Sequence, residues 1–313
     1  MLDNIVLSFN VVAPLFIEML LGIFLRYIKL LDQHTTATIN KLIFKCFLPI
    51  LLFYNIYNTR LEEIESYYYM YIVMIGIIVI FAILILVVPF FEKDRKKCGV
   101  IIQAGFRSNF VLFGIPVATL LLGEENTGAV SLLIAVVIPL FNILSVADLE
   151  YFRGKKLNIR SVCLGIVKNP LIIASVLGII ANLSGFKFLP FMESTISGIS
   201  KIATPLALIA LGAEFKLGAV KQYWKQLTAG LLLRLLIVPI IMIMVTVALG
   251  IRGEEFVAIL IVFSAPVAVN SYIMAEMMEG DGVLASQLVF YSTGLSILTL
   301  FVLIFVTKTL GFY

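Results

Sequence analysis

One histidine, one tryptophan and three cysteines are all that the 313 residues contain of those types. A lone imidazole excludes the paired histidines of an H-E-x-x-H zinc enzyme. The cysteines Cys46, Cys98 and Cys163 form no C-x-x-C pair, so neither a disulfide framework nor a zinc site is expected. No metal and no cofactor are anticipated. Charge is scarce as well, at 13% of residues against about 25% in soluble domains, while 61% are hydrophobic. The net charge of +4 is too small to suggest nucleic acid as a partner. Long polar stretches are missing too, which leaves no room for a soluble catalytic domain and predicts that the protein is not an enzyme.

What remains is a bilayer composition, with a mean hydropathy of +1.10. The first apolar stretch has no basic residue in Met1-Leu2-Asp3-Asn4 and runs unbroken from Ile5 to Leu25, so it reads as a retained helix rather than a signal peptide. Apolar runs separated by polar clusters place ten spans at 5–27, 40–57, 68–90, 98–122, 128–148, 166–184, 193–214, 227–250, 256–279 and 284–307. Lys and Arg resist translocation and fix the orientation. Alternate connections carry 16 of the 23, the opposite side carries 4, and Arg107, Lys201 and Arg234 fall inside spans. The expectation is a multi-pass protein of the cell membrane, of bacterial inner-membrane type, with N- and C-termini outside and the cysteines near the reducing cytoplasmic face.

Internal repetition follows the same order. Pro14-Leu15-Phe16-Ile17 and Leu21-Gly22-Ile23 match Pro170-Leu171-Ile172-Ile173 and Leu177-Gly178-Ile179 at an offset of 156, which also carries Lys45 and Pro49 onto Lys201 and Pro205. Gly114-Ile115-Pro116-Val117-Ala118 matches Ser264-Ala265-Pro266-Val267-Ala268 at an offset of 150. Five spans per half is an odd number, so the second half enters the membrane from the opposite side. The expected fold is therefore an all-α membrane protein of ten transmembrane helices in two inverted five-helix repeats, residues 1–150 and 160–313. Spans four and nine mix Asn109, Ser264, Asn270 and Ser271 with Gly114, Pro116 and Pro266, the pattern of broken helices around a midplane site.

The run Asn109-Phe110-Val111-Leu112-Phe113-Gly114-Ile115-Pro116 resembles the fourth-helix motif of the auxin efflux carrier family. Ala265-Pro266-Val267-Ala268-Val269-Asn270, with Ala275-Glu276 downstream, resembles the ninth-helix motif of its bacterial members, and Pro205-Leu206-Ala207-Leu208-Ile209-Ala210-Leu211-Gly212 its seventh helix. The resemblance spans essentially the whole chain. It implies crossed, broken helices four and nine, and an elevator in which helices three to five and eight to ten move against a scaffold of one, two, six and seven. It also implies a homodimer joined through the scaffold, and a carboxylate substrate such as malate, malonate or an auxin-like acid. The long central loop of many plant members is missing, so the bacterial type is the better match.

Candidate substrate contacts are Arg107, Asn109, Gly114, Pro116, Pro266, Asn270 and Ser271, with Pro116 and Pro266 expected at the first position of each second half-helix. Two half-helix N-termini and Arg107 would attract a small organic anion. Glu18, a deep carboxylate without a symmetry mate, is the coupling candidate, with protons or sodium as the coupled ion. The competing reading pairs Arg107 with an acidic side chain, Glu18 foremost. Lys45, Lys201, Arg234, Asp148, Glu214 and Glu276 are expected to anchor at the interface. Two alternatives to an anion carrier stay open, a cation-coupled symporter or antiporter of the similar bile-acid-type fold and a non-transporting membrane sensor. Membrane lipid is the remaining expected partner.

Overall fold

The computed structural model describes residues 2–58, 68–123, 127–153, 164–165, 167–215 and 219–313. Cys163 lies outside them. The described chain is nearly all helix, and among those residues six helices are long and apolar enough to cross a membrane. Helix suits that setting because every backbone donor and acceptor inside it is satisfied within the segment.

Helix α1 spans Leu2–Tyr27 and α2 Gln33–Leu42, which continues through a π turn, Ile43–Phe47, into α3, Leu48–Tyr57. Next come α4 Tyr68–Phe91, α5 Arg95–Phe106, α6 Phe110–Leu122 and α7 Gly128–Arg153. The second half has α8 Pro170–Leu183, α9 Pro190–Ser200, α10 Ala203–Glu214 and α11 Ala219–Leu232, the last running through a second π turn, Leu233–Ile237, into α12, Val238–Ala248. Helices α13 Gly253–Ser264, α14 Val269–Met277 and α15 Gly282–Thr309 complete the chain. Each π turn precedes a proline, Pro49 or Pro239, whose missing N–H cannot close the ordinary ladder bond. Asp32, Asp94, Asn169 and Asp281 cap α2, α5, α8 and α15 by accepting backbone N–H bonds of 2.7 to 3.0 Å from Thr35, Lys96, Leu171 and Leu284.

Two helix pairs pack at glycine. A methyl group on Gly22 of α1 would lie 2.0 Å from the Ile209 carbonyl oxygen of α10, and one on Gly212 would lie 2.0 Å from that of Met19. In the other pair, a methyl group on Gly178 of α8 would lie 3.0 Å from the Phe53 carbonyl oxygen of α3. At the centre, α5 is buried from Cys98 to Phe106 and α13 from Phe256 to Ser264. A helix buried on all sides belongs in the middle of a bundle. By contrast α4 turns Ile75, Ile78, Val79, Ile83 and Leu86 outward, an apolar face suited to hydrocarbon.

Candidate functional site

The chain unwinds between α5 and α6, at 107–109, and between α13 and α14, at 265–268. These two extended segments cross at the middle of the bundle. Ser108 and Val267 form an antiparallel β-bridge, the Asn109 N–H donates to the Pro266 carbonyl at 2.7 Å, and the Val267 N–H donates to Ser292 Oγ of α15 at 3.1 Å. Unwinding inside a membrane protein frees backbone groups, and the crossing lets each segment satisfy the other.

The break in the fourth span comes earlier than its proline suggests. Pro116 is the seventh residue of α6 and not its first, because α6 already begins at Phe110. Pro266 does lie in an unwound segment, yet before the N-cap Ala268 rather than at the start of α14. The 150-residue match of Pro116 with Pro266 is therefore not a structural equivalence. Helices α5 and α13 have 12 residues each, and their first and last residues lie one spacing apart, 253 − 95 = 158 and 264 − 106 = 158.

A cavity of about 110 Å³ opens against the crossing and is lined by Arg107, Ser108, Asn109, Asn142, Ala268 and Asn270. Its other walls come from α3, with Leu51, Leu52 and Asn55, from Thr204 of α10, and from the apolar Val111, Leu112, Ile138, Phe141 and Val269. Of the expected contacts, Arg107, Asn109 and Asn270 meet at this cavity and Pro266 stitches the crossing behind it. Gly114 packs beneath Val130 of α7, Pro116 is exposed, and Ser271 is buried on α14; these three lie outside the lining. Glu18 is half-buried in α1 and also outside it.

Arg107 is 4% exposed. Its Nη2 donates to Asn142 Oδ1 at 2.9 Å and its Nη1 contacts Met274 Sδ. The ion pairs among the described residues, Lys97–Asp94, Arg153–Glu150 and Arg153–Glu279, involve neither Arg107 nor Glu18. Around it Ser108 Oγ, Asn109 Nδ2 and Asn142 Nδ2 are buried without a hydrogen-bond partner. The N-termini of α6 and α14 face the same place, and neither Asn109 nor Ala268 caps its helix with a side chain. A buried cation, orphaned donors and two uncapped helix N-termini form one arrangement, suited to a group rich in acceptors and negative in charge.

Asn142 in particular has no sequence signal beyond a polar residue within an apolar span. Asn55 lies close enough to a helix end to pass for an interfacial residue. Two charges expected at the interface are buried instead. Asp148 is 0% exposed beside Gly99 of α5, and Arg234 is 0% exposed. The helix carrying Arg234 runs from Ala219, eight residues before the hydropathic boundary at 227, which moves Arg234 from near an end to the middle. Lys45, Lys201 and Glu276 are exposed, with Lys45 and Lys201 near the middle of the helical spans Gln33–Tyr57 and Pro190–Glu214.

Residues 7–304 match the family model described as membrane transport protein. An uncharacterized transporter of Methanocaldococcus jannaschii is 23% identical over 300 residues, covering 93% of this chain and 96% of that one. One from Methanothermobacter thermautotrophicus is 26% identical over 310 residues, covering 94% and 96%. The uncharacterized transporter YfdV of Escherichia coli K12 is 24% identical over 276 residues, covering 84% and 86%. With a multi-pass helical bundle and a model match over nearly its whole length, the chain belongs to the membrane transport protein family, that of the auxin efflux carriers.

Proposed function

We propose that the protein is a secondary transporter for a small organic anion of the carboxylate class, bound at the crossing of α5–α6 and α13–α14. The observation that carries this reading is the cavity in which Arg107 has no carboxylate partner among the described residues while Ser108, Asn109 and Asn142 hold orphaned polar groups. Buried donors left unmet cost about 1–3 kcal/mol each, and a bound carboxylate would meet several at once. A volume near 110 Å³ suits a ligand of a few heavy atoms.

The proposed architecture is ten spans in two inverted five-helix repeats. It is supported by a symmetric pair of close approaches. Gly22 meets Ile209 and Gly178 meets Phe53, and the two pairs interchange at one offset, since 178 − 22 = 156 and 209 − 53 = 156. Movement is proposed as an elevator, spans three to five and eight to ten carrying the site past a scaffold of spans one, two, six and seven. The cavity wall supports this division, because Leu51, Leu52, Asn55 and Thr204 come from the scaffold and the other lining residues from the moving group. The outward faces of α1 and α8, with Ile17, Leu20, Phe24, Ile173, Leu177 and Ile180 exposed, would meet lipid or a second copy in a homodimer.

The test is uptake of labelled malate, malonate and aromatic monocarboxylates into proteoliposomes, with and without imposed proton and sodium gradients. Saturable uptake of at least one carboxylate supports the reading. A Glu18→Gln protein with unaltered rate and pH dependence removes Glu18 as the coupling group. Binding without uptake or exchange would instead favour a sensor.

A further inference from the structure

The crossing has a second side, where α5 and α13 end. Helix α5 stops at Phe106 and α13 at Ser264, so the last carbonyls of each point into the protein with no following turn to donate to them. Each helix end also brings a partial negative charge. One side chain serves both ends. Arg234 Nη1 donates to the carbonyls of Gly105 at 3.2 Å and Phe106 at 3.4 Å, while Nη2 donates to Val262 at 3.3 Å and to Phe263. Four carbonyls on two helices thus match the four N–H bonds of the two terminal nitrogens. Arg234 sits at the centre of its span, 234 − 220 = 14 residues from one end and 248 − 234 = 14 from the other, and within the π turn Leu233–Ile237.

In transporters built on broken helices, half-helix C-terminal ends and unwound carbonyls are the groups that coordinate a coupling cation. Here those ligands are held by a guanidinium fixed to the chain. A second cation would find its carbonyls occupied and a full positive charge beside them. The arrangement is also asymmetric: offsets of 156 to 158 carry Arg234 onto Ile78, Ile77 or Gly76 of α4, all without charge. One arginine therefore neutralises the ends of both half-helices.

We propose that Arg234 is a tethered substitute for a coupling cation. The crossing of this protein binds no sodium, and removal of the guanidinium turns the four-carbonyl cage into a site for a monovalent cation. The two sides of the crossing then divide the work, with a resident cation on the carbonyl side and a transported anion on the amide side. The proposal depends on the anion-carrier reading for its meaning in transport, but its binding claim stands on the Arg234 geometry alone.

The experiment follows thermal unfolding of the purified full-length protein in NaCl, KCl and choline chloride at equal ionic strength, without substrate. Wild type and Arg234→Lys are expected to melt at one temperature in all three salts. Arg234→Ser is expected to melt lower in choline chloride, to recover several degrees in NaCl or KCl, and to recover with millimolar guanidinium chloride, which restores the lost group. A sodium-specific rise in wild type overturns the proposal. So does a folded Arg234→Ser protein with the same melting temperature in every salt. If Arg234→Ser does not fold, the wild-type and Arg234→Lys proteins still decide, because a sodium-specific rise in either overturns the proposal and its absence in both supports it. No arm contains the transported anion, so failure here is distinct from failure of the carboxylate reading.

Discussion

Replacing Asn142 by aspartate keeps the shape of the side chain and places a carboxylate where Asn142 Oδ1 now accepts from Arg107 at 2.9 Å. The bond is already charge-assisted by the guanidinium, and the new carboxylate turns it into a hydrogen-bonded ion pair that compensates the buried charge. The Asn142→Asp protein should therefore melt no lower than wild type. Its cavity, however, loses its net positive charge. A substrate carboxylate bound to the same guanidinium would sit roughly 5 Å from the new aspartate, and at an effective dielectric of about 20 that repulsion is about 3 kcal/mol. At about 1.4 kcal/mol per tenfold, affinity for a small carboxylate should fall about 100-fold. Asn142→Leu is the contrasting variant: it leaves Nη2 without its acceptor, so stability drops while an anion can still approach. Equilibrium binding of the labelled acid to detergent-solubilised protein, read beside a melting curve, separates the two. If Asn142→Asp binds within about threefold of wild type, Arg107 is not the substrate's counter-ion and the site assignment fails.

Gly212→Ala would set a methyl group 2.0 Å from the Met19 carbonyl oxygen, with backbone on both sides, and should cost about 3 kcal/mol or more, seen as a sharp fall in melting temperature; Gly198→Ala, with open space around it, should change nothing comparable. At the C-terminal end of α7, Arg153 Nη2 meets Glu279 Oε1 at 2.5 Å, and this hydrogen bond, with the arginine's charge, holds the Glu279 carboxyl below its usual range. A lowered folded value means the contribution is present above the ordinary carboxylate range and disappears as pH falls through the lowered value. Because the pair is exposed, Glu279→Gln should cost about 0.2–1 kcal/mol in melting assays at neutral pH and low salt, and nothing at high salt or strongly acidic pH. Topology is tested by single cysteines in a cysteine-free background. One at Ser184 should react with an impermeant reagent from outside intact cells and one at Gln33 should not, and the reverse pattern would invert the orientation.

Helix positions are legible in hydropathy because a bilayer forces backbone satisfaction within each segment, so α4 at Tyr68–Phe91 nearly coincides with the run at 68–90. Polar helix starts are not legible that way. The first two turns of α11 carry Lys221, Gln222, Trp224, Lys225 and Gln226, so hydropathy begins the span late and leaves Arg234 looking interfacial. The break at 107–109 is hidden for another reason. Proline marks where a ladder bond is lost, yet α6 accommodates Pro116, while the real unwinding rests on pairing between Ser108 and Val267, residues far apart in sequence. Arg107, Asn109 and Asn270 are visible as polar residues deep in apolar runs. Asn142 and Thr204 join them only through packing between helices, which no local pattern encodes.

Counterflow tests the central claim most directly. Proteoliposomes loaded with unlabelled carboxylate are diluted into a trace of the same labelled acid, first with wild type and then with Arg107→Gln, each confirmed folded by size exclusion. The account predicts a transient overshoot of label in wild-type vesicles for at least one small carboxylate, and none with Arg107→Gln. Normal overshoot with Arg107→Gln, or no exchange by wild type of any acid that it binds, would contradict it.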